Sequence, residues 1–364
     1  MENKGVRKMK IIQVIPRLGM GGAETMCENL SIELMKSGHE VIVVSLSNNT
    51  TPISERLKKN GILVRYLGKK DGLDIKAIIK LRKLLKKEKP DIIHSHIYAL
   101  KYCVFADLFL HHKKIHTVHS IASKESTELD QKLNKLFFKI NGVVPVALSE
   151  LVRKTIVDCY KLDENSIPVV FNGCPMEKCI VKNSYAFGEN INIIHVGSLI
   201  ELKNHKAMID AVNFLHKDYS NVRITFVGEG ILKWELQKYI DEMDCGSYMN
   251  LYGLATDVYS LLGESDIFML PSIYEGLPMS IIEAMGTGLP IIASNVGGIP
   301  DMIKHHVNGL LCAPSANSIY EALLKYINSQ ELRETCGKAA REASYLFSCK
   351  KMCENYVKLY EELI

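Results

Sequence analysis

The stretch Pro271-Ser272-Ile273-Tyr274-Glu275-Gly276-Leu277-Pro278-Met279-Ser280-Ile281-Ile282-Glu283-Ala284-Met285-Gly286-Thr287-Gly288-Leu289-Pro290 follows an apolar run ending at Leu270 and opens a helical pattern near Pro278. Strand, Gly/Pro loop and helix in that order make the βα step of a parallel sheet. The loop aims free backbone N–H groups and the positive end of the helix at whatever lies beyond the strand, which suits an anion. Glu275 stands before the helix and Glu283 inside it, so two carboxylates flank the helix start, where they can accept hydrogen bonds from the hydroxyls of a ligand. Without that context, the same two glutamates would be a surface loop residue and a solvated helical residue.

Working outward, short apolar runs alternate with helical patterns along the whole chain. Strands are expected at Lys10–Ile15, Val41–Leu46, Leu63–Tyr66, Asp91–Ser95, Ile115–Val118, Val143–Ala147 and Ile167–Phe171, the last ending at the turn signal Asn172-Gly173. The pattern resumes at Ile191–Val196, Arg223–Val227, Met249–Tyr252, Ile267–Leu270 and Pro290–Ala293. Periodicity is lost over residues 174–190, which reads as a linker. The expected organisation is a first Rossmann-like domain over residues 1–173, a linker, a second over 191–349, and a last helix over 350–364 that returns to the first domain. At 364 residues the chain is long enough for two cores. Two open α/β domains in series leave a cleft at the carboxyl ends of their strands.

Composition narrows the class. With 47% hydrophobic and 24% charged residues the chain is globular, and a net charge of +4 does not call for nucleic acid. One Trp argues against a carbohydrate-binding module of stacked rings. The ten cysteines are scattered, and neither Cys174/Cys179 nor Cys349/Cys353 has the paired spacing of a zinc site. Residues 1–10 are polar and basic, without the apolar core of a leader, and no run of eighteen apolar residues is present. A reducing cytoplasm is the expected location.

The run from Pro271 to Pro290 resembles the E-x7-E signature of the retaining GT-B glycosyltransferases known as family 4. Asn295-Val296-Gly297-Gly298-Ile299-Pro300-Asp301 and Asn308-Gly309-Leu310-Leu311 are similar to that family's continuation. The resemblance spans nearly the whole chain and is densest in its second half. It implies a GT-B fold, two Rossmann-like domains facing across a cleft, and catalysis without a metal. It implies that Glu275 contacts the transferred sugar, that Glu283 holds the ribose, and that amides near Met279 and Ser280 bind the distal phosphate, with Gly276 and Leu277 on the donor side.

Four further motifs carry chemistry. Gly19-Met20-Gly21-Gly22-Ala23-Glu24 follows the first strand. Its glycines let backbone approach a ligand, although a plain tight turn is the simple alternative. A dinucleotide fingerprint would need a third glycine at Glu24 and an acidic residue after the second strand, where Ser47-Asn48-Asn49 stands. The resemblance puts Gly21 and Gly22 near the donor phosphate and Glu24 on the acceptor side. His94-Ser95-His96 and Thr117-Val118-His119-Ser120 close two strands, and alternation puts His94 and His96 on one face. Any one of these histidines is ordinarily structural; the resemblance singles out His119 as hydrogen-bonding the donor sugar, with His96 toward the acceptor. Val196-Gly197-Ser198-Leu199-Ile200-Glu201-Leu202-Lys203-Asn204 matches a phosphate-binding run in which Lys203 meets the diphosphate. Ser198 departs from the family's arginine there, offering one neutral hydrogen bond where arginine gives a charged fork. The turns at Gly228-Glu229-Gly230 and after Tyr252 read as structural.

Residues 74–89 form a basic amphipathic helix with Lys76, Lys80, Lys83 and Lys87 at three- and four-residue spacing and an apolar stripe of Ile75, Ile78, Ile79 and Leu85. A solvated helix packed on its sheet accounts for it, and electrostatic docking on anionic lipid is the sharper alternative. The expected activity is retaining transfer of a hexose from a nucleotide diphosphate sugar, UDP-linked, to a glycan or lipid-linked acceptor in surface polysaccharide or glycolipid synthesis. No cofactor is required, and the enzyme would work in the cytoplasm at the inner face of the membrane. A nucleotide-sugar epimerase of the same fold and a non-catalytic nucleotide-sugar-binding protein are the competing classes.

Overall fold

The computed structural model describes residues 7–19, 21–125 and 127–364. Residues 1–6 of the amino-terminal stretch and Met20 of the glycine loop lie outside the described residues. The chain divides into two compact units, Met1–Gly173 with Cys349–Ile364, and Cys174–Ser348.

Among the described residues each unit holds one six-stranded, wholly parallel sheet. In the first, β1 (Lys10–Ile15), β2 (Glu40–Ser45), β3 (Leu63–Tyr66), β4 (Ile92–His96), β5 (Lys113–Val118) and β6 (Val143–Ala147) lie in the order β3-β2-β1-β4-β5-β6. In the second, β7 (Ile191–Val196), β8 (Val222–Val227), β9 (Met249–Gly253), β10 (Ile267–Leu270), β11 (Ile291–Ser294) and β12 (Leu310–Cys312) lie in the order β12-β11-β10-β7-β8-β9. Both are the doubly wound order, which reverses direction between β1 and β4 and between β7 and β10. The central strands are buried on both faces, as helix-covered parallel strands must be: Ile11, Ile12, Val14 and Ile15 are fully buried in β1, and all four residues of β10 likewise.

The last helix, Cys349–Leu363, is part of the first unit and packs against the helix Gly22–Lys36. Met352, Cys353, Tyr356 and Tyr360 recur at three- and four-residue spacing and enter the core around β1 and β4. Their counterparts on the other helix are Met26, Cys27, Leu30 and Leu34.

Two expectations are corrected. The stretch 174–190 is not a separate linker but belongs to the second unit. Its Lys182 donates to the Ser265 carbonyl at 2.8 Å and pairs with Asp266 at 3.1 Å. Tyr185 is buried, donates to the Gly288 carbonyl at 2.9 Å, and its own carbonyl accepts from Arg333. A segment so tied by side chains shows no periodicity because, apart from one 3-10 turn at Met176–Lys178, it is neither helix nor strand. The second correction concerns Ile167–Phe171, which makes only an isolated bridge, Ala147 to Val169. Pro168 has no N–H with which to extend a ladder. The three-residue β12 went unread because it is too short to show alternation.

Removing the Tyr360 ring should lower stability by about 3–5 kcal/mol, and removing only its hydroxyl, in Tyr360→Phe, by about 1 kcal/mol. Thermal unfolding of the two variants checks this, and a Tyr360→Ala transition matching the parent's would contradict the packing described.

Candidate functional site

In the second unit the loop after β10 and the loop after β7 meet on the Glu275 carboxylate. Glu275 is buried, and its Oε1 accepts from the Lys203 ammonium and from the Ser272 hydroxyl, the latter at 2.7 Å. Ser272 is set in turn by Ser294 at the end of β11, whose hydroxyl donates to the Ser272 carbonyl at 2.5 Å. The Lys203 loop is aligned by Asn204 in the left-handed region (φ 59°), whose side chain donates to the carbonyls of Pro271 and Pro314. Ile273 N–H donates to the Leu202 carbonyl at 2.8 Å, so the two loops also share a backbone bond.

Glycine is required at one point of this loop. Gly297 adopts φ 62°, and a Cβ there would overlap the Glu275 carbonyl oxygen. Gly298 N–H donates to the carbonyls of Glu275 and Gly276. The Asn295–Asp301 run thus acts as a backbone clamp on Glu275.

The helix Met279–Thr287 begins at Pro278 with no side-chain cap. The backbone N–H groups of Met279 and Ser280 therefore lie in its unfilled first turn, beside the Gly276–Leu277 loop. Glu283 is buried further along the same helix, and its carboxylate makes no ion pair or hydrogen bond among the described residues. Burial raises its pKa to about 7. Ser198 is exposed at the start of the Lys203 loop. Behind Lys203, His195 is fully buried; its Nδ1 lies 3.0 Å from the Met269 carbonyl and its Nε2 has no partner. His205 packs edge-on against it, with ring centroids 4.8 Å apart. Burial first, then the neighbouring charges, keeps both neutral.

In the first unit His94 and His96 share a face at the end of β4, their rings 4.3 Å apart. His96 is fully buried and both its nitrogens are engaged: Nε2 with Gln13 Oε1 at 2.7 Å, and Nδ1 with His119 Nε2 at 3.0 Å. With both nitrogens engaged inside the fold, His96 can stand toward an acceptor only by its carbon edge or through His119. His94 is held by Tyr360 and Thr117, each at 2.7 Å, and Tyr356 lies 2.8 Å from the Thr117 hydroxyl. His119 is half-buried and its Nδ1 has no hydrogen-bond partner among the described residues. Its backbone N–H and that of Ser120 donate to Glu125 Oε2, at 2.9 and 3.3 Å. Burial pushes the Glu125 carboxyl up to about 8 against those two bonds, and its Oε1 has no partner.

The glycine loop is occupied by its own helix. Glu24, buried in the first turn of Gly22–Lys36, folds its carboxylate back so that a Cβ on Gly21 would sit 2.6 Å from its Oε2. Arg17 stands 3.7 Å from its other oxygen. Gly21 and Gly22 themselves are exposed.

Gln13, Glu125, His195 and Ser272 were not anticipated. Gln13 and His195 had a signal: each is a polar residue inside an apolar strand run. Among the described residues no group of three or more His, Cys, Asp or Glu is placed to hold a metal ion, and no helix is long and apolar enough to cross a membrane.

Comparison with known proteins matches residues 20–178 to Glycosyltransferase Family 4 and residues 180–343 to Glycosyl transferases group 1. The UDP-Gal:alpha-D-GlcNAc-diphosphoundecaprenol alpha-1,3-galactosyltransferase of Escherichia coli is 27% identical over 316 residues, 80% of each chain. The capsular polysaccharide biosynthesis glycosyltransferase CapH of Staphylococcus aureus is 26% identical, over 79% of this chain and 82% of its own. The Anabaena protein HepE, solved with UDP-glucose, superposes with a TM-score of 0.86 at 18% identity, covering 98% of this chain and all of its own. That likeness concerns the fold.

The raised pKa of Glu283 has a consequence for stability. In the unfolded chain a glutamate ionises near about 4.3, so between about pH 4 and about pH 7 the folded form keeps a proton that the unfolded form releases. The stability tied to this proton is complete at low pH and is lost as pH rises through the folded value. Glu283→Gln, neutral throughout, should therefore show a shallower fall in melting temperature from about pH 5 to about pH 8 than the ligand-free parent. Parallel pH profiles in calorimetry would refute the assignment.

Proposed function

From the premise that the chain belongs to the family 4, group 1 glycosyltransferases and has their GT-B architecture, we propose that it moves a hexose from a UDP-sugar to a glycan or lipid-linked acceptor with retention of anomeric configuration. The observation that carries this reading is the Lys203–Glu275–Ser272 group, its carboxylate buried and its lysine partly so, beside the uncapped start of the helix Met279–Thr287. One cation, several backbone N–H groups and two carboxylates in that arrangement suit a sugar linked to a diphosphate. The UDP and lipid-linked chemistry is supported by the E. coli relative, named for UDP-galactose and a diphosphoundecaprenol acceptor, and by UDP-glucose in the HepE structure.

The roles follow from charge. As the bond between the anomeric carbon and the diphosphate breaks, its electron pair moves to the phosphate oxygen. Lys203 and the N–H groups of Met279 and Ser280 stabilise the charge that develops there. Glu275, kept in place by Ser272, turns its remaining acceptor capacity to sugar hydroxyls, and Glu283 accepts from the ribose. Ser198 gives the phosphate a neutral hydrogen bond. The acceptor oxygen attacks the anomeric carbon from the face the diphosphate leaves, and its proton passes to a phosphate oxygen of the departing group. His119 hydrogen-bonds a sugar hydroxyl. Gly21 and Gly22 approach a ligand through backbone, with Glu24 on the acceptor side. No cofactor enters.

On the first unit, Ile75 and Ile79 of the helix Ile75–Glu88 are 64% and 49% exposed, while Ala77, Leu81 and Leu85 are buried. The apolar stripe expected to pack is thus partly outward, interleaved with Lys76, Lys83 and Lys87. Lys80 is drawn aside, donating to the Leu67 carbonyl at 2.6 Å. This mixed face is suited to rest on the anionic cytoplasmic leaflet, where each basic residue contributes about 1 kcal/mol.

A thermal-shift screen across nucleotide-sugars should give its largest rise with a UDP-sugar. With that donor, Glu275→Ala and Lys203→Ala should each lower kcat/KM by about a hundredfold or more. Parent-level turnover in both would refute the site, and an inverted anomer in the NMR spectrum of fresh product would refute retention. Conversion of the donor to an epimer without acceptor would place the chain in a different class. Charge reversal at Lys76, Lys83 and Lys87 together should abolish cosedimentation with anionic vesicles; equal sedimentation would remove the membrane surface.

A further inference from the structure

Gln13 lies in the middle of β1, fully buried among isoleucine and valine, and its carboxamide oxygen stands 2.7 Å from His96 Nε2. The carboxamide presents its oxygen to His96 and leaves its nitrogen without a partner among the described residues; in that orientation the oxygen accepts, so His96 Nε2 carries the proton. His96 is neutral, because burial first and the surrounding histidines next hold its pKa well below the ordinary value. Its Nδ1 is therefore bare and must accept the bond 3.0 Å away at His119 Nε2. That places the His119 proton on Nε2. His119 is also kept neutral, its pKa lowered to about 3 by burial and then by His116. Its Nδ1 is thus an acceptor with no partner among the described residues.

We infer that Gln13, acting through His96, is a positioning residue that fixes the tautomer of His119, so that the ring presents an acceptor nitrogen to a hydroxyl group of the sugar. The assignment rests on the reading of His119 as a sugar-binding residue. The orientation of the relay is fixed from three sides. His94 lies under His96 with ring centroids 4.3 Å apart and is itself held by Tyr360 and Thr117. His116 is turned away onto the Ser95 hydroxyl at 2.9 Å. Glu125 anchors the His119 main chain. What remains free is one lone pair, and its natural partner is an O–H donor. A sugar carrying hydrogen, fluorine or an O-methyl group at that hydroxyl would leave the lone pair buried and unpaired, which is where discrimination against such analogues would arise.

The test reads the tautomer directly. In the ligand-free full-length protein with nitrogen-labelled histidine, NMR should show His119 with Nε2 protonated and Nδ1 unprotonated. A dominant Nδ1–H form overturns the inference whether or not the protein transfers a sugar, while absence of donor turnover in the parent would instead count against the proposed activity. Gln13→Met keeps bulk but cannot accept, and should turn the His119 signals into a mixture of tautomers with kcat/KM for transfer lowered at least about tenfold. If that variant does not fold, Gln13→Asn, whose shorter side chain withdraws the amide from His96, should give the same mixture. A His119 that stays wholly Nε2-protonated in either folded variant shows that Gln13 does not set the tautomer and ends the proposal.

Discussion

The second unit is organised around a single buried carboxylate. Glu275 has little exposure, and an isolated charge there would be costly. The cost is met by a lysine from the loop after β7 and by a hydroxyl from its own loop, each positioned by another strand end. Removing one partner of such a group is worse than never having had the pair, because the remaining charge stays buried. Lys203, Ser272, Ser294 and the glycine pair at Gly297-Gly298 are for that reason one structural unit as well as one chemical unit. The neighbouring Glu283 obeys the opposite rule. It has no such partner, and burial moves it toward the neutral form.

In the first unit the same problem is solved with neutral groups. Three histidine rings, a glutamine, a threonine and two tyrosines cluster around β1, β4 and β5 and hydrogen-bond one another, with the Gln13 carboxamide nitrogen left without a partner among the described residues. Burial depresses the histidines and raises the tyrosines, so every member is uncharged over the physiological range. A neutral network holds geometry without the penalty of buried charge, and its proton positions are set by whichever member can only accept or only donate.

Much of this was legible before any coordinates. Parallel sheets buried on both faces write themselves as runs such as Lys10–Ile15 and Ile191–Val196, and the glycine-rich loops after them mark where a ligand can approach backbone. Glu275 and Glu283 could be placed on one loop-helix step from the local pattern, whereas Lys203 stood out only through the family resemblance. What could not be picked was connectivity between distant segments. That Glu24 folds over its own glycine loop, or that His96 has both nitrogens engaged, depends on side-chain directions that no local pattern encodes. The stretch 174–190 was misread for the related reason that irregular segments held by side chains look like linkers. Gln13 was visible as a polar residue in an apolar strand, but its meaning required His96 and His119 beside it.

The helix Cys349–Leu363 completes the first unit although the chain reaches it only after the whole of Cys174–Ser348. On a ribosome, which releases a chain from its amino end, the first sheet emerges early but lacks Tyr356 and Tyr360 until residues 349–364 have been made. The second unit, continuous in sequence, can close first. If it does, the earlier-made segment still has an open apolar face around β1 and β4 during that interval, and a nascent chain would then most need protection from aggregation.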